Sequence, residues 1–350
     1  MNESLSKKIS IYNFICTLGI VIYHWKNFYI LFSNKENYLS DSLYNFYDLL
    51  ASISLGFFFM TSAYLFYLGI DSGVKLVKKI KKRLITLGIP FIVWNILCFA
   101  YSSTYSLIRG RGLDVSLGDI ILGFTLDPFD GPFWYIVALI VLMSISPLLL
   151  KLKKKPQLFL IVVITLTIVC SIVHSEISSE NMFVSWLLRL LNYTPIYIFG
   201  AYLALCKSRI FSRGRYINKV ISVLALLSGA TIVLYFTLVD VEANAFTWCL
   251  KAVLPILLWL AVPDELFGKA KIVFPIRISF FLYAMHGTLI GILDTIFTKL
   301  VGYNNMPLIL SIICHIVLFT ILYLVCLAFA FITKKILPKK IYFALSGGRV

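Results

Sequence analysis

The chain has 350 residues, 60% of them hydrophobic and only 14% charged, with a mean hydropathy of +0.91. A water-soluble globule of this size has no interior large enough to hide that much apolar surface. The apolar runs are long and unbroken, without the roughly ten-residue alternation of barrel strands, so the fold class is all-α: a polytopic membrane protein.

Taken in chain order, the apolar segments predict about ten transmembrane helices, each near the ~20 residues that cross the hydrocarbon. They cover about 9–31, 44–70, 84–108, 132–150, 157–174, 183–206, 216–239, 246–262, 273–298 and 307–333, the span at 246–262 being short. The first is followed by no small-residue cleavage site and carries a polar His24, so it reads as a retained helix. Basic residues set the orientation. With the N-terminus cytoplasmic, the inner segments hold Lys7 and Lys8, the cluster Lys75 to Arg83, Lys151 to Lys155, Lys207 to Lys219, Lys269 to Arg277 and Lys334 to Arg349, which is most of the 32 Lys and Arg residues. Asp114, Asp119, Asp127, Asp130, Glu176, Glu180, Asp240 and Glu242 fall in the outer loops. Both termini are therefore expected in the cytoplasm. The same alternation accounts for the net charge of +16 without a nucleic-acid partner. The longest outer loop, 109–131, contains an apolar piece, Ile120 to Phe124, expected to dip back toward the membrane. No repeat or soluble segment interrupts the pattern, and residues 1–350 read as one domain. The seven scattered cysteines have neither metal-ligand nor CxxC spacing; they read as small buried side chains, and no metal is expected.

Ionisable residues at membrane depth are costly and mark candidate sites. His24, Arg189, Lys251, His286, Asp294 and His315 qualify, with Asn13 as a neutral companion. Asn13 and His24 are eleven residues apart, about 20° past three full helical turns, so they share a face with roughly 16 Å between them along the axis. A long thin ligand could touch both. His286 can line the same cavity or satisfy a helix–helix contact. Arg189 can neutralise a carboxylate or hold an anion, and Lys251 can snorkel to an outer surface. The outer-loop carboxylates Asp114, Asp127 and Asp130 can face a substrate on the outer side, but they read first as solvated. Arg83, with Lys82 beside it, closes the basic cluster at the mouth of the third span, where anionic phosphates would be received.

Several segments together resemble the acyltransferase-3 family of membrane acyltransferases. Asn13 through His24 is similar to its opening signature of a basic residue, ten residues and a histidine. Phe57 to Tyr64, Arg83 to Trp94, Gly131 to Tyr135, Thr194 to Gly200 and Ser279 to His286 match in character and order. Asn13 departs from the family's basic residue, and Ala63 stands where glycine is usual. The resemblance implies an enzyme of a bacterial cytoplasmic membrane that moves an acyl group, usually acetyl from acetyl-CoA, onto a hydroxyl of a saccharide or related cell-envelope acceptor. On that reading His24 is the general base, Asn13, Lys82 and Arg83 bind the donor, and Tyr23, Trp134, Tyr135, Arg189 and His286 line the cavity or bind substrate. Membrane lipid is a partner throughout, and a homo-oligomer stays open. A ping-pong route through an acyl-histidine would use the same residues. The competing reading from another class is a transporter or flippase of an envelope glycan or lipid-linked intermediate, since buried His, Arg and Asp suit a substrate pathway too.

Overall fold

A computed structural model describes residues 3–25, 38–110, 112, 115–206, 215–239, 244–300 and 308–348, without the side chains of 38–41, 43, 215–217, 308 and 311. The expected end of the first span beyond Trp25, the loop bases Lys26, Lys35, Arg111, Lys207, Arg209 and Arg213, the loop acids Asp114, Asp240 and Glu242, and Arg349 lie outside the described residues. Helices run in the order α1 (Glu3–His24), α2 (Tyr38–Tyr67), α3 (Gly73–Arg83), α4 (Ile89–Ile108), α5 (Leu117–Gly123), α6 (Trp134–Leu142), α7 (Ser146–Leu152), α8 (Pro156–Glu176), α9 (Met182–Leu205), α10 (Arg215–Leu238), α11 (Ala245–Ala261), α12 (Phe274–Arg277), α13 (Ser279–Leu300), α14 (Leu308–Ile336) and α15 (Lys339–Ser346). No strand interrupts them among the described residues.

Among the described residues eight helices are long and apolar enough to cross a membrane: Glu3–His24, Tyr44–Tyr67, Gly73–Ile108, Gly131–Leu152, Pro156–Glu176, Asn218–Leu238, Ser279–Leu300 and Ile312–Ile336. The two other expected spans also form helices. α11 has 17 residues, and α9 has 24 but carries Arg189, Asn192 and Tyr193. α9 turns nearly its last three turns, Ile196 to Leu205, almost wholly into protein. α8 shows the opposite pattern. Ile161, Ile164, Ile168 and Ile172 form an exposed stripe at helical spacing, while Phe159, Val163 and Cys170 face inward. An apolar stripe turned outward would be a liability in water and is the natural surface toward lipid tails.

The chain divides into two compact units. The first comprises Met1–Tyr23, Glu36–Val77 and Val141–Ile272; the second comprises His24–Lys35, Lys78–Ile140 and Val273–Val350. In the first, α9 packs on α2 and α8, and Leu49, Phe236 and Leu254 join α2, α10 and α11 in a shared core. α1 lies against α2, with Tyr12 edge-on to Phe57 at 5.5 Å. Small residues permit such approaches: a methyl on Gly200 would collide with the Met60 carbonyl. Lys8, which composition assigns to the positive-inside signal, is 2% exposed. Its ammonium donates to the carbonyls of Trp259 and Val262, both at 2.7 Å, and to Asp264 at 2.9 Å.

In the second unit the helix from α3 to α4 passes through one π-type turn, Leu84–Gly88. α15 docks on the start of α4, where Trp94 Nε1 donates to the Leu345 carbonyl at 2.9 Å. Gly347, at φ 60°, ends α15 close against the Thr86 carbonyl, a position that combines left-handed backbone with no room for a side chain.

Candidate functional site

The second unit gathers three of the chain's four histidines around the end of α1. His24 is the last residue of that helix, exposed, with its ring 5.0 Å from that of His286 and tilted 49° to it. The next residue, Trp25, lies 5.7 Å from His315 of α14. Sequence reading selected His24, His286 and His315 separately, from the cost of a polar group at membrane depth; the fold joins them.

His286 is fully buried on α13. Its Nδ1 lies 2.6 Å from the Tyr283 carbonyl oxygen, one turn back. A carbonyl oxygen only accepts, so Nδ1 carries the proton and Nε2 keeps its lone pair in the neutral ring. Nε2 is sealed from solvent and has no hydrogen-bond partner among the described residues. Tyr283 in turn donates its hydroxyl to the Pro132 carbonyl at 2.6 Å and stacks on Phe133 at 5.5 Å. Tyr135 meets the same Tyr283 ring edge-on at 6.3 Å, and Trp134 is 9% exposed. The Gly131–Tyr135 stretch therefore sits on the turn of α13 that carries His286.

Asn95, which sequence reading passed over, and Asp130, which it read first as solvated, hold that stretch in place. Asn95 is fully buried on α4. Its Nδ2 donates to the Gly123 carbonyl, and its Oδ1 accepts from the Asp130 backbone N–H at 3.4 Å. One side chain thus ties both ends of the segment 123–130, including the end of α5, within the piece expected to dip toward the membrane. Asp130 is 4% exposed, which corrects its reading as a solvated loop carboxylate. The cause is its neighbour Phe129, which packs on Phe99 at 4.7 Å and Phe124 at 5.8 Å and draws the loop inward. Burial pushes the Asp130 carboxyl up to about 7. A carboxylate directly before Gly131-Pro132-Phe133-Trp134, a helix start rich in aromatic residues, was the available signal; for Asn95, one amide in an apolar helix, there was little.

The remaining candidates are dispersed. Lys82 is exposed and Arg83 half-buried at the end of α3, in the second unit. Asn13, Tyr23 and Arg189 belong to the first unit. Asn13 is half-buried, and its carbonyl accepts from Thr17 at 2.7 Å. Tyr23 and Arg189, with Asp48, are electrostatic neighbours of Tyr193, which stacks on Phe59 at 5.0 Å. Lys251 is half-buried and pairs with Asp48 at 3.2 Å, beside a pocket of about 20 Å³ lined by Tyr193 and Trp248. Among the described residues no group of three His, Cys, Asp or Glu side chains is placed to hold a metal ion.

The fold and the site together define a multi-pass membrane protein with two histidines in ring contact, one of fixed tautomer. The model of the acyltransferase-3 family, an acyltransferase domain, matches residues 13–335, and the chain belongs to that family. The matched range runs from Asn13 through every candidate residue. It makes acyl transfer the activity of the chain in outline. No curated protein and no solved structure matches the sequence.

Proposed function

We propose that the protein transfers an acyl group, acetyl in the first instance, from acyl-CoA to a hydroxyl of a cell-envelope saccharide or related acceptor in a bacterial cytoplasmic membrane. The observation that carries this reading is the contact of exposed His24 with a buried, tautomer-locked His286. His24 takes the proton of the acceptor hydroxyl as its oxygen attacks the thioester carbonyl carbon. The tetrahedral intermediate collapses, the C–S bond breaks, and the proton passes from His24 to the departing thiolate, leaving an ester and free CoA. His286, with Nδ1 held on the Tyr283 carbonyl, keeps its ring against that of His24 and so positions the base. Tyr135 and Trp134 are the nearby candidates for stabilising the oxyanion.

Asn13 and His24 on one helix face offer roughly 16 Å, which suits a pantetheine arm lying along α1. Asn13 can donate and accept hydrogen bonds where the family carries a cation. Arg83 and Lys82 meet the donor phosphates. Thermal-shift titration of the detergent-purified protein with acetyl-CoA tests this donor. Stabilisation that rises with ligand concentration, and weakens in Arg83→Ala, is the expected result. No stabilisation at millimolar acetyl-CoA would overturn acetyl-CoA as the donor.

A further inference from the structure

Asp130 sits at the N-cap position of the turn Gly131–Phe133, yet its side chain makes no capping bond. An aspartate there ordinarily accepts from the first free backbone N–H groups of the helix. Here the carboxyl is turned onto α13 instead. Its Oδ1 lies 2.8 Å from where a Cβ on Gly287 would be, so the absent side chain of Gly287 makes the seat for the carboxyl. Gly287 directly follows His286. Pro132, which accepts from Tyr283, lies against the same glycine. Cys98 of α4 is an electrostatic neighbour of Asp130 and bonds Thr288 of α13 at 3.5 Å, closing another side of the seat. Asn95 holds the Asp130 backbone. The carboxyl is thus fixed from three elements, but its Oδ2 is buried and has no hydrogen-bond partner among the described residues.

A buried carboxyl oxygen without a donor is costly, and native folds keep few of them without a use. His286 Nε2, on the same turn of α13, is a second buried acceptor without a donor. Both call for an incoming group that donates hydrogen bonds, and a molecule carrying several hydroxyls supplies them. From this we infer that Asp130 is an acceptor-binding residue of the acyl-transfer site, its Oδ2 taking a hydrogen bond from a hydroxyl of the acceptor other than the one acylated. The inference rests on the proposed transfer to a hydroxyl compound. It makes Gly287 a specificity element, because any side chain there displaces the carboxyl.

The test uses the full-length purified protein at saturating acetyl-CoA, with a methyl glycoside series as the acceptor probe and CoA release as the readout. Asp130→Asn, which keeps the shape, raises the acceptor KM roughly ten- to a hundred-fold while the donor KM stays at the wild-type value. Gly287→Ala, which leaves the carboxyl intact, moves the acceptor KM in the same direction. An unchanged acceptor KM in Asp130→Asn, or a loss confined to kcat or to the amount of folded protein, overturns the assignment. If the wild type transfers to no glycoside, the failure lies with the proposed reaction. Thermal shift with the same glycosides then decides the site: stabilisation of wild type but not of Asp130→Asn supports it, and equal or absent shifts in both overturn it.

Discussion

A lysine ammonium has three N–H donors, and Lys8 gives one each to Trp259, Val262 and Asp264. That full complement is what allows a cation to be 2% exposed on α1. Lys8→Ala leaves two carbonyls and a carboxylate without their donor and is expected to destabilise the fold by about 3 kcal/mol, measurable as a lowered Tm in detergent. Asp130 is another buried ionisable group, and its behaviour can be tested directly. Its carboxyl holds a proton up to about pH 7 in the fold, against an ordinary value of 3.8. The folded state binds more protons than the unfolded state between those values, so this group's contribution is most favourable at low pH and declines as pH rises toward 7. The Tm of the wild type should therefore fall relative to that of Asp130→Asn between about pH 4 and 7; parallel Tm curves over that range would contradict the burial of the group. His24 and His286 were legible in the sequence because an imidazole in an apolar span has a cost that needs a reason. Asp130 was not, because in a loop otherwise rich in Asp and Gly a carboxylate reads as solvated, and only the packing of Phe129 reveals otherwise.

At the scale of elements, apolar run length located the helices well, since a spanning helix must satisfy its own backbone whatever its neighbours are. The run beginning at Arg83 read as a fresh helix entry, but α3 continues into α4 through the π-type turn at Leu84–Gly88. Nothing in the residues Leu84-Ile85-Thr86-Leu87-Gly88 announces that turn; its context is the docked end of α15 against the Thr86 carbonyl. Pairings between helices were equally hidden. His24 and His286 lie far apart in the chain, and neither periodicity nor charge says that their helices meet. Small residues carry more of that information than they first suggest. Gly200 of α9 faces the Met60 backbone of α2, which cannot withdraw as a flexible side chain could. Gly200→Ala should destabilise by about 1–3 kcal/mol, read as earlier unfolding in a heat or denaturant series. Gly291 has open space beside it, and Gly291→Ala is the control expected to change little.

For the molecule as a whole, composition alone required a membrane, and the outward-facing isoleucines of α8 agree with it. The charge of +16 is expected to mark the cytoplasmic side. Single cysteines placed at Lys154 and at Glu180, in an otherwise cysteine-free protein, should react with an impermeant thiol reagent from opposite sides of sealed vesicles; reaction from the same side would reverse the topology. Family membership supplies acyl transfer, and the contact of His24 with His286 suggests how this chain carries it out. The most direct test is CoA release from acetyl-CoA by purified wild type, His24→Ala and His286→Ala in the presence of a hydroxyl acceptor, with folding checked by Tm. The account predicts a loss of about 10²–10⁴ in kcat for His24→Ala and a smaller loss for His286→Ala, both in folded protein. Wild-type turnover in His24→Ala would remove that histidine as the base and contradict the central claim.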